Sequence, residues 1–238
     1  MKRRTMVALV PVLVAISLWA CQRQHPVNVY VNPRFTDTKA SPDQAIEKIA
    51  VLACASSLQH ADDPDDIAPR TMERFLVPAL QERSDYKLIA SNTVEYAVEK
   101  TSSLEAYAKF LKSYAISDKP DMAFLTPLAR ELQCDAFLIP VVDLWQKDEV
   151  DIKENSTPAT YVGATITVVS AVDGTILFRA TDEDYLEGAS SETSDRSLVT
   201  SPSGAVYSDL GAKVHRAPPF EDVAVKIAQS LALSLPTR

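Results

Sequence analysis

The spacing of apolar residues changes twice along the chain, and each change marks a different kind of element. "KIAVLAC", residues 48–54, is a short continuous apolar run, which predicts a strand buried on both faces. In "RTMERFLVPALQER", residues 70–83, Met72, Phe75, Leu76 and Leu80 form a helical stripe, with Pro78 placed to kink or shorten it. "YKLIAS", residues 86–91, predicts a second strand. Residues 91–115 then carry Val94, Ala97, Val98, Leu104, Tyr107 and Leu111 on one side, and Asn92 and Glu95 stand in capping-box spacing. The periodicity lapses at 101–103, so two short helices are expected there.

"TPLARELQCDAFLIPVVDLW", residues 126–145, predicts a helix with Thr126 as N-cap and Pro127 at its first position, a turn at Cys134 and Asp135, and a third strand. Pro140 inside that strand points to an edge, a bulge or an early end of pairing. The period next falls to two: "TYVGATITVVSAV" and "TILFRATDEDYLE" flank Asp173-Gly174, a two-residue hairpin signal. Val162, Ala164, Ile166 and Val168 would face the core, and Tyr161, Gly163, Thr165 and Thr167 the other side. Residues 187–219, rich in Ser, Gly and Pro, read as a polar excursion before a last helix marked by Val223, Ile227 and Leu231. The order β-α-β-α-α-β-β-β-α implies an α/β (α+β) domain of two or three layers with a mixed sheet.

The N-terminus stands apart from this pattern. Lys2, Arg3 and Arg4 precede an apolar stretch from Met6 to Ala20, the layout of a secretory signal and too short for a comfortable transmembrane helix. Leu18-Trp19-Ala20-Cys21 resembles the lipobox of bacterial lipoproteins, although Trp19 departs from the usual small or aliphatic residue. The resemblance implies cleavage before Cys21 and its acylation, and Gln22 implies the outer membrane. The expected division is therefore a signal peptide over 1–20, a lipidated Cys21 with a flexible tether over 21–44, in which only the short "VNVYV" could pair as an edge strand, and a periplasmic domain over 45–238. Removing residues 1–20 takes away three basic and no acidic residues, leaving 21 basic and 32 acidic groups and a formal charge of −11. That balance argues against nucleic acid and anionic lipid headgroups as partners.

Candidate chemistry is sparse. Cys54 and Cys134 would sit at opposite ends of neighbouring parallel strands, roughly 15–20 Å apart at ~3.3 Å per residue, which predicts two unbridged thiols. The histidines, His25, His60 and His215, fit no zinc-protease spacing, and five scattered glycines form no phosphate-binding loop, so no cofactor is expected. "HADDPDD" crowds His60, Asp62, Asp63, Asp65 and Asp66 into one loop. It reads either as a weak cation site or as a solvated acidic loop lacking the spacing of a calcium motif. Trp145, Tyr161 and Arg179 near the hairpin are candidate partner contacts, with completion of the core edge as the plainer role for the two aromatics.

At "LARELQCDAFLIPVVDLW" and "ITVVSAVDGTILFRAT" the sequence is similar to the periplasmic α/β domain shared by the curli-secretion lipoprotein CsgG, the penicillin-binding-protein activator LpoB and the N-terminal domain of TolB. Cys134 stands where that group commonly has Gly or Ala, and Pro140 is unexpected in its strand. The resemblance implies a non-enzymatic envelope adaptor or assembly factor and supplies no catalytic residue. A pore is not expected, because residues 187–219 lack the alternating bands of membrane-crossing hairpins. The alternatives are a lipoprotein that binds a small ligand or metal, and a hydrolase using His60 and His215. Homo-oligomerisation stays open.

Overall fold

A computed structural model of the chain describes residues 26–36, 46–148, 157–188, 199–200, 206–207 and 217–237. The elements are β1 (Asn28–Val31), α1 (Pro33–Thr36), β2 (Lys48–Val51), β3 (Ala55–Ser56), α2 (Ile67–Gln81), β4 (Lys87–Ile89), α3 (Ser91–Thr101), α4 (Leu104–Ser117) and α5 (Met122–Leu132). They continue through β5 (Ala136–Asp148), β6 (Ala159–Ser170), β7 (Ile176–Glu187), β8 (Val199–Thr200), β9 (Val206–Tyr207) and α6 (Phe220–Ser234). Cys21, His25 and His215 lie outside the described residues, as does most of the stretch 187–219.

The main sheet runs β1-β7-β6-β5-β2-β4, with β3 also paired to β5. β2 is parallel to both β4 and β5, whereas β5, β6, β7 and β1 pair antiparallel in turn. This is the mixed sheet that the element order implies. Val162, Ala164, Ile166 and Val168 bury one face together with α2, α6 and Phe35, while α3, α4 and α5 close the other face over β4, β2 and β5. The result is three layers.

Several local expectations are corrected. Within the stretch assigned to the tether, "VNVYV" does pair as an edge strand, β1 on β7, as expected, but the chain beyond it is also folded on, with Phe35 buried beside Tyr86 and Phe178. α5 begins at Met122, not at Pro127, because the Asp121 carboxylate accepts the Ala123 N–H at 2.9 Å; Pro127 lies inside the helix. α3 begins at Ser91 with no side-chain cap, so Asn92 and Glu95 form no capping box. Pro78 does not shorten α2, which runs on to Gln81. The lapse at 101–103 is a true break, where the Ser103 hydroxyl accepts the Ala106 N–H and starts α4.

Pro140 is buried in the middle of the central strand, not at an edge; of the three expectations it is the break in pairing that holds. Leu138 O accepts from Leu52 N and Val142 O from Ser57 N, so the period of two turns the Pro140 nitrogen to that same flank. There β2 has ended and β3 has not yet paired. The missing donor thus falls in an interruption of the ladder and costs no hydrogen bond.

The hairpin turn is longer than Asp-Gly alone. Ser170 N donates to Thr175 O and Gly174 N to Ser170 O, enclosing residues 171–174. Gly174 has φ 71, and a Cβ there would meet Met122 Sδ at 2.8 Å, so glycine is required twice over.

Candidate functional site

Helices α3–α5 cover only part of their side of the sheet. From the hairpin, Val169 and Ala171 join the core beneath them. Towards the start of β6 and the end of β7 the same face carries Tyr161, Gly163, Thr165 and Thr167 opposite Tyr185, Glu183, Thr181 and Arg179. β1 extends this face with Tyr30, which pairs with Arg179. The alternation in "TYVGATITVV" predicts a wet face, and it holds only in part: Glu183 and Tyr185 are exposed, whereas Gly163 and Thr167 are buried.

The surface is ordered by a network of short contacts. Thr165 and Thr181 hydroxyls lie 3.0 Å apart, and Thr165 Oγ1 donates to Asp143 at 2.9 Å. A register shift between Val142 and Leu144 sets Asp143 and Leu144 beside Gly163. A Cβ on Gly163 would stand 2.9 Å from Asp143 Oδ1, Glu183 Cγ and Leu144 Cβ, so the absence of a side chain lets these groups converge. Desolvation, reinforced by the Glu183 charge, raises the Asp143 carboxyl above its usual range, and the Thr165 hydrogen bond works against that.

At one end, Tyr161 and Tyr185 stack with ring centroids 5.6 Å apart. At the other, Arg179 donates through Nε to Thr167 at 3.3 Å and through Nη2 to Asp118 at the end of α4. The buried Tyr114 hydroxyl has no partner at bonding distance among the described residues, with Thr167 and Arg179 as polar neighbours. Burial raises it above the usual phenol range. The face therefore offers an aromatic pair, a hydroxyl ladder, two carboxylates and a guanidinium. These groups suit recognition.

The other sequence candidates lie elsewhere. Trp145 is 6% exposed on the opposite face of the sheet and stacks on Phe220 at 4.3 Å, so it completes the core edge and shares no surface with Tyr161. Asp63 is buried and caps α2, accepting Ile67 N at 2.9 Å and Ala68 N at 2.8 Å, while Asp62, Asp65, Asp66 and His60 point into solvent. Among the described residues no three His, Cys, Asp or Glu side chains converge on a cation position. Cys54 and Cys134 are buried free thiols; burial pushes both up, Cys134 to about 12.

One feature gave no sequence signal. A groove of about 520 Å³ is lined by Arg70, Glu73, Arg74, Val77, Ser91 and Asn92 among others. β2 leaves the sheet towards α2 on one face and β4 towards α3 on the other, so the groove lies where the connections diverge. Glu73 is committed within it, accepting from Cys54 N and from the Ser91 hydroxyl.

No family model matches the chain, and no curated protein matches it. Among solved structures it is similar to the PelC dodecamer from Paraburkholderia phytofirmans, with 12% identity and a TM-score of 0.44 over 90% of this chain and 98% of that one. Lipoprotein GNA1162 from Neisseria meningitidis is similar at 15% identity and a TM-score of 0.43, over 62% and 88% of the two chains. The LpoB C-terminal domain from Escherichia coli is similar at 12% identity and a TM-score of 0.34, over 65% and 93%. Among the described residues, no helix is long and apolar enough to cross a membrane.

Proposed function

We propose that this chain is an outer-membrane lipoprotein, acylated at Cys21, whose periplasmic domain is a non-catalytic adaptor for another envelope protein. The observation that carries the adaptor role is the uncovered hairpin face. Stacked Tyr161 and Tyr185 at one end of the face, and Arg179 six residues away along β7 at the other, supply the aromatic and guanidinium anchors that concentrate binding energy at protein interfaces. Their rigid β scaffold keeps the entropy cost of binding low. The lipobox-like Leu18-Trp19-Ala20-Cys21 supports the anchor, and the signal-like residues 1–20 support export.

The test is site-specific photocrosslinking in the native cell from Tyr161 and Tyr185, with Lys87 on the far edge as control. The expected result is one dominant envelope protein captured from both tyrosines, absent from Lys87, and lost when Thr165→Arg is added. Absence of capture, or capture indifferent to Thr165→Arg, would remove this face from the function. A second reading, binding of a small ligand, is favoured by the groove between α2 and α3. Native mass spectrometry of the protein purified from its own cells would show a bound mass, which Arg70→Ala should discharge.

A further inference from the structure

β1 forms one outer edge of the sheet, and its residues are exposed throughout. Val29, Tyr30 and Val31 are 42%, 53% and 38% exposed. The other large exposed apolar residues, such as Tyr96, Ile116, Val172 and Leu233, are scattered singly along the sequence, which is ordinary for a soluble surface. Three in succession on an edge that pairs with no further strand among the described residues are not, with Tyr30 on one face of the edge and Val29 and Val31 on the other.

Covalent geometry adds a constraint. Cys21 to Pro26 is five residue steps, at most about 17 Å of chain at ~3.4 Å per residue. β1 enters the sheet with Asn28 opposite Thr181. Continued along that direction, Pro26 stands level with Glu183, about 13 Å from the Glu187 end of β7 and about 27 Å from the Thr175 end. The far edge, β4, is five strand spacings or roughly 24 Å across. An acyl group on Cys21 thus reaches a bilayer lying along β1 and the Glu187 end, and falls short of one lying at the hairpin turn or beyond β4.

We propose that the β1 edge rests on the bilayer surface, with Val29, Tyr30 and Val31 in the interfacial layer; this rests on the acylation of Cys21 proposed above. The chemistry of the edge suits that layer. Tyrosine, with an apolar ring and a polar tip, favours the membrane–water interface. Residues 22–36 contain no Asp or Glu, in a mature chain of formal charge −11, so no carboxylate of this strand opposes contact with headgroups. Asn32 N bonds to Leu177 O, and the period of two therefore directs the backbone groups of Val29 and Val31 outward. Water in the headgroup layer satisfies them, whereas hydrocarbon would not, which limits the depth to the interface.

The full, acylated protein is reconstituted into vesicles of phosphatidylethanolamine with a minority of phosphatidylglycerol. A fluorophore is placed at Asn28→Cys, and on a second sample at Val172→Cys at the hairpin turn. Cys54 and Cys134 are buried and do not compete for the label. The expected result is several-fold stronger quenching of the residue-28 label than of the residue-172 label by lipids carrying a nitroxide near the headgroup. Equal, weak quenching in protein that floats with the vesicles overturns the proposal and leaves the anchor standing. So does a residue-28 signal that vanishes on dilution together with a β1-to-β1 crosslink, because a second copy would then cover the edge. Protein that fails to float and shows no acyl mass on Cys21 overturns the anchored reading and this proposal with it.

Discussion

Asp173 shows how one side chain can hold two distant parts of the chain together. Its carboxylate accepts Arg34 Nη1 at 2.9 Å and lies within reach of Ser170 and Thr175, which tie it to the hairpin turn. Arg34, with smaller contributions from Ser170 and Thr175, holds the Asp173 carboxyl well below the ordinary aspartate range. A depressed acid contributes stability above its unfolded value near 3.9, and that contribution is lost as pH falls through the lower folded value. Both partners are about half exposed, so solvent screening keeps the effect to about 1 kcal/mol or less. The urea midpoint of Asp173→Asn should lie slightly below that of the parent protein at pH 7. The gap should narrow as pH drops below about 4. A gap that widens in acid would show that Arg34 is not its source. At this scale the sequence is legible where chemistry is local and opaque where a remote atom decides. Asp63 is visible as an acidic residue before a helix, yet nothing in "HADDPDD" says which carboxylate turns inward to cap α2. Tyr161 and Trp145 likewise read as a pair, although the register places them on opposite faces.

Elements were most readable where their periodicity is long. β5, β6, β7 and the break between α3 and α4 follow directly from the spacing of apolar residues. β1 and α1 are four residues each, too short for a period to appear, and what holds them is Phe35 stacked 5.8 Å from Tyr86 and 6.0 Å from Phe178. Those partners lie far away in sequence, which is why the stretch reads as tether. Phe35→Ala should cost about 3 kcal/mol or more, as for other buried aromatic truncations. Limited proteolysis would then cut near residues 32–36 before any other folded segment. Unchanged resistance there would mean that the β1–β7 pairing holds the segment alone. Pro140 carries the same lesson in reverse: the rule that confines proline to edges is local, and the gap between β2 and β3 that exempts it belongs to another part of the chain.

For the molecule as a whole, the two cores divide the sheet unequally. One side is covered by α2 and α6 over most of the sheet, whereas on the other the helices reach β6 and β7 only near the hairpin turn, through Val169, Ala171 and Asp118, and leave the far end of those strands open. The proposed recognition by Tyr161 and Tyr185 rests on that asymmetry. It also predicts an order of protection in native-state hydrogen exchange. Amides shared by β5 and β6, covered on both sides for most of their length, should open last, and those of β1 first. Equal protection across the sheet would show that the edge is as firmly held as the centre.

The pairing of Asn28 with Thr181 has a consequence for the order of events in the life of the chain. A ribosome delivers residue 28 long before residue 181 exists, so β1 has to wait for its partner strand. β1 therefore cannot pair before β7 has been made, and its docking closes a loop of about 150 residues at an entropic cost that rises slowly with length. Until it docks, β7 presents an open edge. The interval before docking leaves that edge open to mispairing with neighbouring chains.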